Sequence, residues 1–221
     1  MCYSIFYHYL IQQQNIIGGI RMTTELRKIS VGDFIFRVLS GVAIGIVVGL
    51  VPNAILGEIF KALMHHHPIF VTLLHVVQAL QFTVPALVGA LIAIKFNMTP
   101  LAIAVVSSAA YVGSGAAQFK NGAWIIAGIG DLINTMITAA IAVLFILLIE
   151  KRVGSMALIV YPTIVGGISA TIGVLILPYV HTINIAIGNM INSFTELQPV
   201  LMCMLISMVF SFIIISPLST V

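Results

Sequence analysis

Asp131 is the residue of this sequence with the clearest indication of a chemical role. It stands in an apolar stretch that the sequence predicts as helix, and Asn134 and Thr135 follow three and four residues later on the same helical face. A carboxylate beside an amide and a hydroxyl offers the paired acceptors and donors that the hydroxyl groups of a neutral polyol, such as a sugar, need. The alternative is a hydrated Asp131 near a helix end, without a functional role.

A second group of polar side chains lies in the stretch before Lys95. His75, Gln78 and Gln81 are spaced three residues apart, so they share roughly one face of a predicted helix. Histidine is the side chain that takes up and releases a proton near neutral pH, so His75 could be a general base or a proton carrier. Hydrogen bonds between helices are the alternative role for all three residues.

Four further residues complete the candidate binding site. Glu58 and Glu196 could accept hydrogen bonds from sugar hydroxyls or relay protons, or they could be hydrated residues at a membrane interface. Asn189 and Asn192 repeat the three-residue spacing of Asp131 and Asn134 with the charge removed.

The sequence offers no pattern for catalysis or for metal binding. His65, His66 and His67 are consecutive, and consecutive residues do not converge on one ion. Cys2 and Cys203 are too few and too far apart for a disulfide framework. We found no Gly-rich phosphate loop and no catalytic triad. We therefore expect no metal, no cofactor and no catalytic residue, and any active transport must take its energy from a partner protein or an ion gradient.

The composition identifies the environment in which these polar residues work. Of 221 residues, 61% are hydrophobic and only 15 are charged, and the mean hydropathy is +1.19. A soluble chain of this length carries about 55 charged residues, so a water-soluble enzyme is excluded. Charge-free runs long enough to cross a bilayer separate the charges. The sequence therefore predicts an all-α integral membrane protein, in which buried polar groups are costly and usually functional.

Six transmembrane helices are predicted, with short amphipathic or broken helices between them. Their approximate limits are Phe34 to Val51, Ile69 to Ile94, Pro100 to Gln118, Ala123 to Ile149, Ser155 to Leu177, and Val200 to Ile215. The third is the weakest, because its second half is rich in Gly, Ala and Ser, which suits tight packing or a broken, cavity-lining segment.

The basic residues predict the orientation. With a cytoplasmic N-terminus, seven basic residues lie inside and only two, Lys61 and Lys120, lie outside. The inner residues are Arg21, Arg27, Lys28, Arg37, Lys95, Lys151 and Arg152.

Three similar segments in the outer connections indicate an internal repeat. They are Ile55 to Phe60, Gly128 to Ile133 and Ala186 to Ile191. The third lies in an amphipathic stretch from Ile183 to Phe194, which we expect to form a short helix at the interface after a break at a proline. In the second copy this helix is expected to run on into the fourth span.

The ends of the chain carry further expectations. Residues 1–21 are interpreted as a non-native or disordered extension, with translation starting at Met22, and residues 22–33 as a cytoplasmic N-terminus. Residues 34–221 form the membrane domain. Because the sequence is apolar to its last residue, we expect this domain to be incomplete at the C-terminus.

Several motifs of the membrane domain resemble the enzyme IIC-like family of the bacterial sugar phosphotransferase system. They are Ala109 to Gly115 (AAYVGSG), Asn121 to Trp124, Gly130 to Thr135 (GDLINT), Leu177 to Tyr179 (LPY), Gly188 to Phe194 (GNMINSF), Leu197 to Pro199 (LQP) and Ile215 to Thr220 (ISPLST). The resemblance covers about Gly32 to Val221. It implies a sugar permease component of the bacterial cell membrane that works as a homodimer with cytoplasmic IIA and IIB phosphocarrier subunits, which hold the phosphorelay residues.

Three hypotheses on function stay open at this point. The first is the permease component of a phosphotransferase-type sugar uptake system. The second is a membrane sensor or binding protein of the same fold without phosphorelay partners. The third is the substrate-binding subunit of a vitamin importer, which is also a small protein of about six spans.

Overall fold

The structure, a computed structural model, describes residues 30–120, 122–197, 203–204 and 207, and these are almost entirely helical. The helices are α1 (Val31–Pro52), α2 (Glu58–Leu63), α3 (Ile69–Gln81), α4 (Val84–Lys95), α5 (Pro100–Gly113), α6 (Leu132–Val153), α7 (Ala157–Val160) and α8 (Gly167–Leu197). Two short strands, β1 (Ala117–Lys120) and β2 (Ala123–Ile126), form an antiparallel hairpin between α5 and α6.

Three continuous helices are long and apolar enough to cross a membrane. They cover Val31–Leu63, Leu132–Val153 and Ala157–Asn189. Helices α3 and α4 are together long and apolar enough for a fourth crossing but are bent by 44° at the break between them, as in a broken span or a re-entrant loop, and α5 is apolar but shorter. The chain is therefore an all-α membrane protein, as predicted. Of the predicted sixth span, Val200 to Ile215, the structure describes only residues 203, 204 and 207.

Two of the long helices contain a π-helical segment beside a proline. Asn53–Gly57 follows Pro52 and joins α1 to α2, and Tyr161–Gly166 contains Pro162 and joins α7 to α8. Proline has no backbone N–H and crowds the preceding turn, so a locally wider helix accommodates it without ending the span. The same tolerance holds at Pro178, which lies inside α8.

A row of glycines packs α1 against α4. Gly41, Gly45 and Gly49 are buried at four-residue intervals on one face of α1. A Cβ atom at Gly41 would lie 2.6 Å from the Ile92 Cα, and one at Gly45 would lie 2.7 Å from the Val88 Cα. The two backbones therefore approach so closely that larger residues do not fit. The four-residue spacing of these glycines is visible in the sequence, although no close packing of α1 was predicted from it.

The predicted limits of five spans need correction. The first helix runs on to Leu63, and the second span is broken after Gln81. Helix α5 ends at Gly113, so the predicted third span is five residues too long, and the fourth starts at Leu132 because residues 123–126 form a strand. The fifth does not break at Pro178, so the separate interfacial helix from Ile183 is wrong.

The structure shows an internal similarity between two helices that differs from the predicted three-copy repeat. The first similar segment spans the π-helical turn and α2, the second leads from a loop into α6, and the third lies within α8. Residues 81–96 and 131–146, in contrast, show the same order of buried, half-buried and exposed positions throughout. Helices α4 and α6 therefore occupy similar environments in the bundle.

Candidate functional site

A cavity of about 600 Å³ opens where α5, the hairpin, α6 and α8 meet. This volume lies in the range of small-molecule binding sites. Its polar lining consists of Ser114, Gln118, Lys120, Asp131 and His181. Leu177 and Pro178 of α8 and Ile129 from the loop before α6 supply the apolar part of the wall.

Two glycines allow the chain to turn around this cavity. Gly115 (φ +73°) follows α5, and Gly130 (φ +75°) precedes α6, and both have backbone conformations that side chains rarely allow. A Cβ atom at Gly130 would lie 2.7 Å from the Ser114 Oγ, and one at Gly115 would lie 2.5 Å from the Leu177 Cδ2. Both positions therefore favour glycine for backbone conformation, and Gly130 also needs it for space, because a Cβ atom there would lie 2.8 Å from the Ser114 carbonyl oxygen.

Asp131 is the N-cap of α6 and does not lie inside a helix as predicted. Its Oδ1 accepts hydrogen bonds from the backbone N–H groups of Ile133 and Asn134, each at 3.0 Å. Its Oδ2 accepts one from the side-chain amide of Asn184 on α8, at 2.6 Å. The backbone N–H of Asp131 donates to the Ser114 carbonyl at 2.8 Å. The carboxylate thus joins α6 to α8 and also faces the cavity.

Asn134 has a structural position below the cavity. It is fully buried, and its side-chain amide donates to the carbonyl oxygens of Gly113 (2.5 Å) and Gly173 (2.8 Å). Its own Oδ1 is buried without a partner among the described residues. Three helices meet at this amide, because Gly113 ends α5 and Gly173 lies on α8. We expected Asn134 to face a solute, but its side chain links α6 to the end of α5 and to α8 beneath the cavity.

Some side chains of the cavity wall have polar atoms without a protein partner among the described residues, and these atoms can bind a solute. The Gln118 Nε2 donates to the Gly115 carbonyl at 3.0 Å, which leaves its Oε1 as an acceptor. Lys120 and His181 have no hydrogen-bond or ion-pair partner within the described ranges. Together with the Asp131 carboxylate, the wall therefore presents a cation, an imidazole, an amide oxygen and a carboxylate.

The other predicted site residues lie away from this cavity. Glu58 is exposed and forms an ion pair with Lys61 at 2.6 Å. His75 is exposed, and Gln78 and Gln81 are half-buried, on α3. Asn189 and Asn192 are exposed on α8, beyond the stretch that lines the cavity, and Glu196 lies in the same helix with a side chain outside the description. Among the predicted residues whose side chains the structure describes, Asp131 alone lines the cavity.

The sequence contained signals for the residues that we missed. Ser114 and Gln118 belong to the stretch rich in Gly, Ala and Ser that indicated a cavity-lining segment. His181 lies three residues before Asn184 on α8, so the two share the helix face that carries Leu177. Lys120 counted only as a basic residue of a connecting loop. No spacing in the sequence joins these four positions, because they come from three separate elements.

Comparison with known families identifies the chain. The family described as Phosphotransferase system, EIIC matches residues 36–221, which include the whole cavity, and the chain belongs to this family. Comparison with curated proteins and with solved structures gave no match. The chain is thus a membrane permease component of a phosphotransferase system, a family that works with membrane lipid and with cytoplasmic IIA and IIB components. The match favours the first of the three hypotheses on function over the vitamin-importer subunit.

Proposed function

We propose that this member of the phosphotransferase system EIIC family binds a sugar in the cavity at the start of α6 and carries it across the membrane to a IIB partner, which phosphorylates it. The observation that carries the proposal is the cavity itself, which lies within the matched region and combines an apolar wall with four different polar groups. Sugars are bound by such mixed walls, since each hydroxyl can both donate and accept a hydrogen bond.

The polar groups of the cavity have separate roles in this proposal. Gln118, Lys120 and His181 contact the sugar directly, because the Gln118 Oε1, the Lys120 ammonium and the His181 imidazole have no partner among the described residues. Asp131 provides an acceptor and positions α8 through Asn184. In this proposal phosphoryl transfer belongs to the partner subunits, because the family resemblance places the phosphorelay residues there.

The other predicted residues enter the proposal away from the cavity. Glu58, His75, Gln78 and Gln81 lie on α2 and α3, and Asn189, Asn192 and Glu196 lie towards the end of α8. They would contact the sugar at another stage of transport, after helices have moved relative to one another. Substitution of His75 by Gln is the direct test, because sugar binding at the cavity would stay unchanged while transport falls.

The proposed orientation places the N-terminus in the cytoplasm. The loop between α4 and α5 and the end of α6 then face inwards, and the hairpin faces outwards. Arg37 donates to the Lys95 carbonyl at 3.3 Å, so two of the seven predicted inner basic residues lie at the same end of the bundle. The cavity, near the hairpin, would then receive sugar from outside.

The proposal also includes a homodimer, which the family resemblance implies. Many large apolar side chains of the long helices are exposed in the single chain, among them Leu148, Leu158 and Leu175 at 66–70%. Lipid and a second copy can both cover such faces. The mass of the protein in detergent micelles tests the assembly, and a monomer at all concentrations would contradict it.

Sugar binding can be tested on the purified full-length protein. A panel of sugars is added, and the melting temperature is measured for each, because a ligand that binds only the folded state raises it. We expect at least one sugar to stabilise the protein, and uptake of that sugar to require IIA and IIB partners. If no sugar stabilises the protein, the proposal is wrong. If a sugar stabilises it but is never phosphorylated, the protein is a sensor of the same fold.

A further inference from the structure

The hairpin between α5 and α6 has two chemically different faces. Side chains alternate along a strand, and the register pairs Phe119 with Trp124 and Ala117 with Ile126. These four residues therefore share one face. Gln118 and Lys120 point to the other face, together with Ala123 and Ile125, and the two polar side chains line the cavity.

The face that points away from the cavity is apolar and has no protein cover among the described residues. Trp124 is 72% exposed, Phe119 61% and Ile126 60%. The two aromatic rings contact each other edge to face, with centroids 5.4 Å apart, so they form one continuous surface. Three large apolar side chains at this exposure are unfavourable in water.

The lengths of the neighbouring helices place the hairpin within the membrane. Helix α5 has 14 residues, so it rises only about 21 Å from the end of the bundle that carries Lys95. The 20 residues of α6 from Leu132 to Lys151 rise about 30 Å along the helix axis. Since the hydrocarbon core is about 30 Å thick, the hairpin lies between the outer part of the core and the opposite interface.

Non-helical backbone at this depth is tolerated where it lines a cavity or is covered by protein. The hairpin meets this condition, because its strands pair with each other and Gln118 and Lys120 on one of its faces line the cavity. Tryptophan is also the side chain most typical of the region where acyl chains meet headgroups.

We propose that the Phe119, Trp124 and Ile126 face of the hairpin is seated in membrane lipid at the acyl–headgroup boundary, so that one thin wall separates the solute cavity from the bilayer. The proposal does not depend on which solute the cavity binds.

Trp124 is the single tryptophan of the chain, so its fluorescence reports on this face alone. The full-length protein is reconstituted into phosphatidylcholine vesicles in which part of the lipid carries bromine, a contact quencher. We expect the emission to fall to about half or less, and more with bromine near the headgroup end of the acyl chain than near its methyl end, since tryptophan prefers the interface. Iodide in the water should quench it weakly.

Two double variants act as matched controls. Trp124→Phe with Phe119→Trp moves the reporter to its cross-strand neighbour on the same face, and bromolipid should quench it as in the wild-type protein. Trp124→Phe with Gln118→Trp moves it to the cavity face, where iodide should quench more than bromolipid. The wild-type protein suffices if either variant does not fold.

Two results would overturn the proposal. Strong quenching by iodide with none by bromolipid would place the hairpin in water. Protection from both quenchers, together with emission that changes with the ratio of protein to lipid, would show that a second copy of the chain covers this face.

Discussion

Substitution of Gly173 by Ala tests the close contact of three helices on which the cavity depends. Gly173 is buried on α8, one turn before Leu177 of the cavity wall. A Cβ atom at this position would lie 2.3 Å from the Thr138 Oγ1 and 2.8 Å from the Gly113 Cα. The second contact is with backbone, so rotation of a side chain cannot relieve it.

The expected loss of stability follows from opposing contributions. Overpacking costs about 1–3 kcal/mol, and weakening the hydrogen bond from Asn134 to the Gly173 carbonyl costs about 1 kcal/mol more. The higher helix propensity of alanine raises the free energy of unfolding by about 1 kcal/mol. The net loss is about 2 kcal/mol, which lowers the melting temperature by about 4–8 °C for a chain of this size.

Gly167→Ala is the matched control, because Gly167 belongs to the same helix and a Cβ atom there meets nothing within 4 Å. It should leave the melting temperature unchanged or raise it, since only the helix propensity changes. Both variants are compared with the wild-type protein by thermal unfolding in one detergent. If Gly173→Ala is as stable as Gly167→Ala, the three helices do not pack as closely as described.

Substitutions at four other positions and one labelling experiment test separate parts of the structure. Asp131→Asn should keep the melting temperature, because asparagine is an equally good N-cap and the Asn184 amide can turn its oxygen to accept from the new Nδ2, but this variant should bind sugar more weakly. Asp131→Ala should also lose about 2 kcal/mol of stability, because the cap and the hydrogen bond from Asn184 are both lost. Equal sugar binding by the wild-type protein and both variants would show that the Asp131 charge does not contribute to the site. Asn134→Ala should lower the free energy of unfolding by about 2–4 kcal/mol, because two buried carbonyls lose their donor, and a change below about 1 kcal/mol would contradict the geometry. Gly45→Ala should destabilise the protein as Gly173→Ala does, whereas Gly32→Ala, with open space around it, should not. Cysteine labelling should find the loops at Lys95 and Lys151 accessible only from the cytoplasm, and labelling from outside would reverse the proposed orientation.

The sequence alone was sufficient for the fold class and the environment of the chain. Charge-free runs of about 20 residues have few explanations other than membrane spans, so this prediction did not depend on details of packing. The limits of the spans were less certain, because an apolar run does not show where hydrogen bonding stops. Ala123 to Ile126 is as apolar as the helix that follows, yet Gly115, Gly122 and Gly128 turn it into half of a hairpin.

The candidate site was predictable only in part. Asp131 stood out because it is an isolated charge in an apolar stretch, and it does line the cavity. Its role as an N-cap was hidden, because the sequence did not show that α6 begins at Leu132. Gln118, Lys120 and His181 come together only through the tertiary contact of three elements, which Gly113, Gly115 and Gly173 permit. Helical periodicity compares residues within one helix and therefore could not join them.

Protection of the cavity by a bound sugar is the most direct test of the central claim. Cys2 and Cys203 are replaced by Ser in the full-length protein, and one new cysteine is introduced, either by Ala127→Cys in the cavity wall or by His66→Cys in the exposed turn before α3. The rate of modification by a small hydrophilic thiol reagent is measured with and without the sugar that stabilises the protein. We predict that the sugar slows modification several-fold at position 127 and leaves position 66 unchanged. Equal rates at position 127 with and without a sugar that stabilises the protein would show that the sugar binds elsewhere.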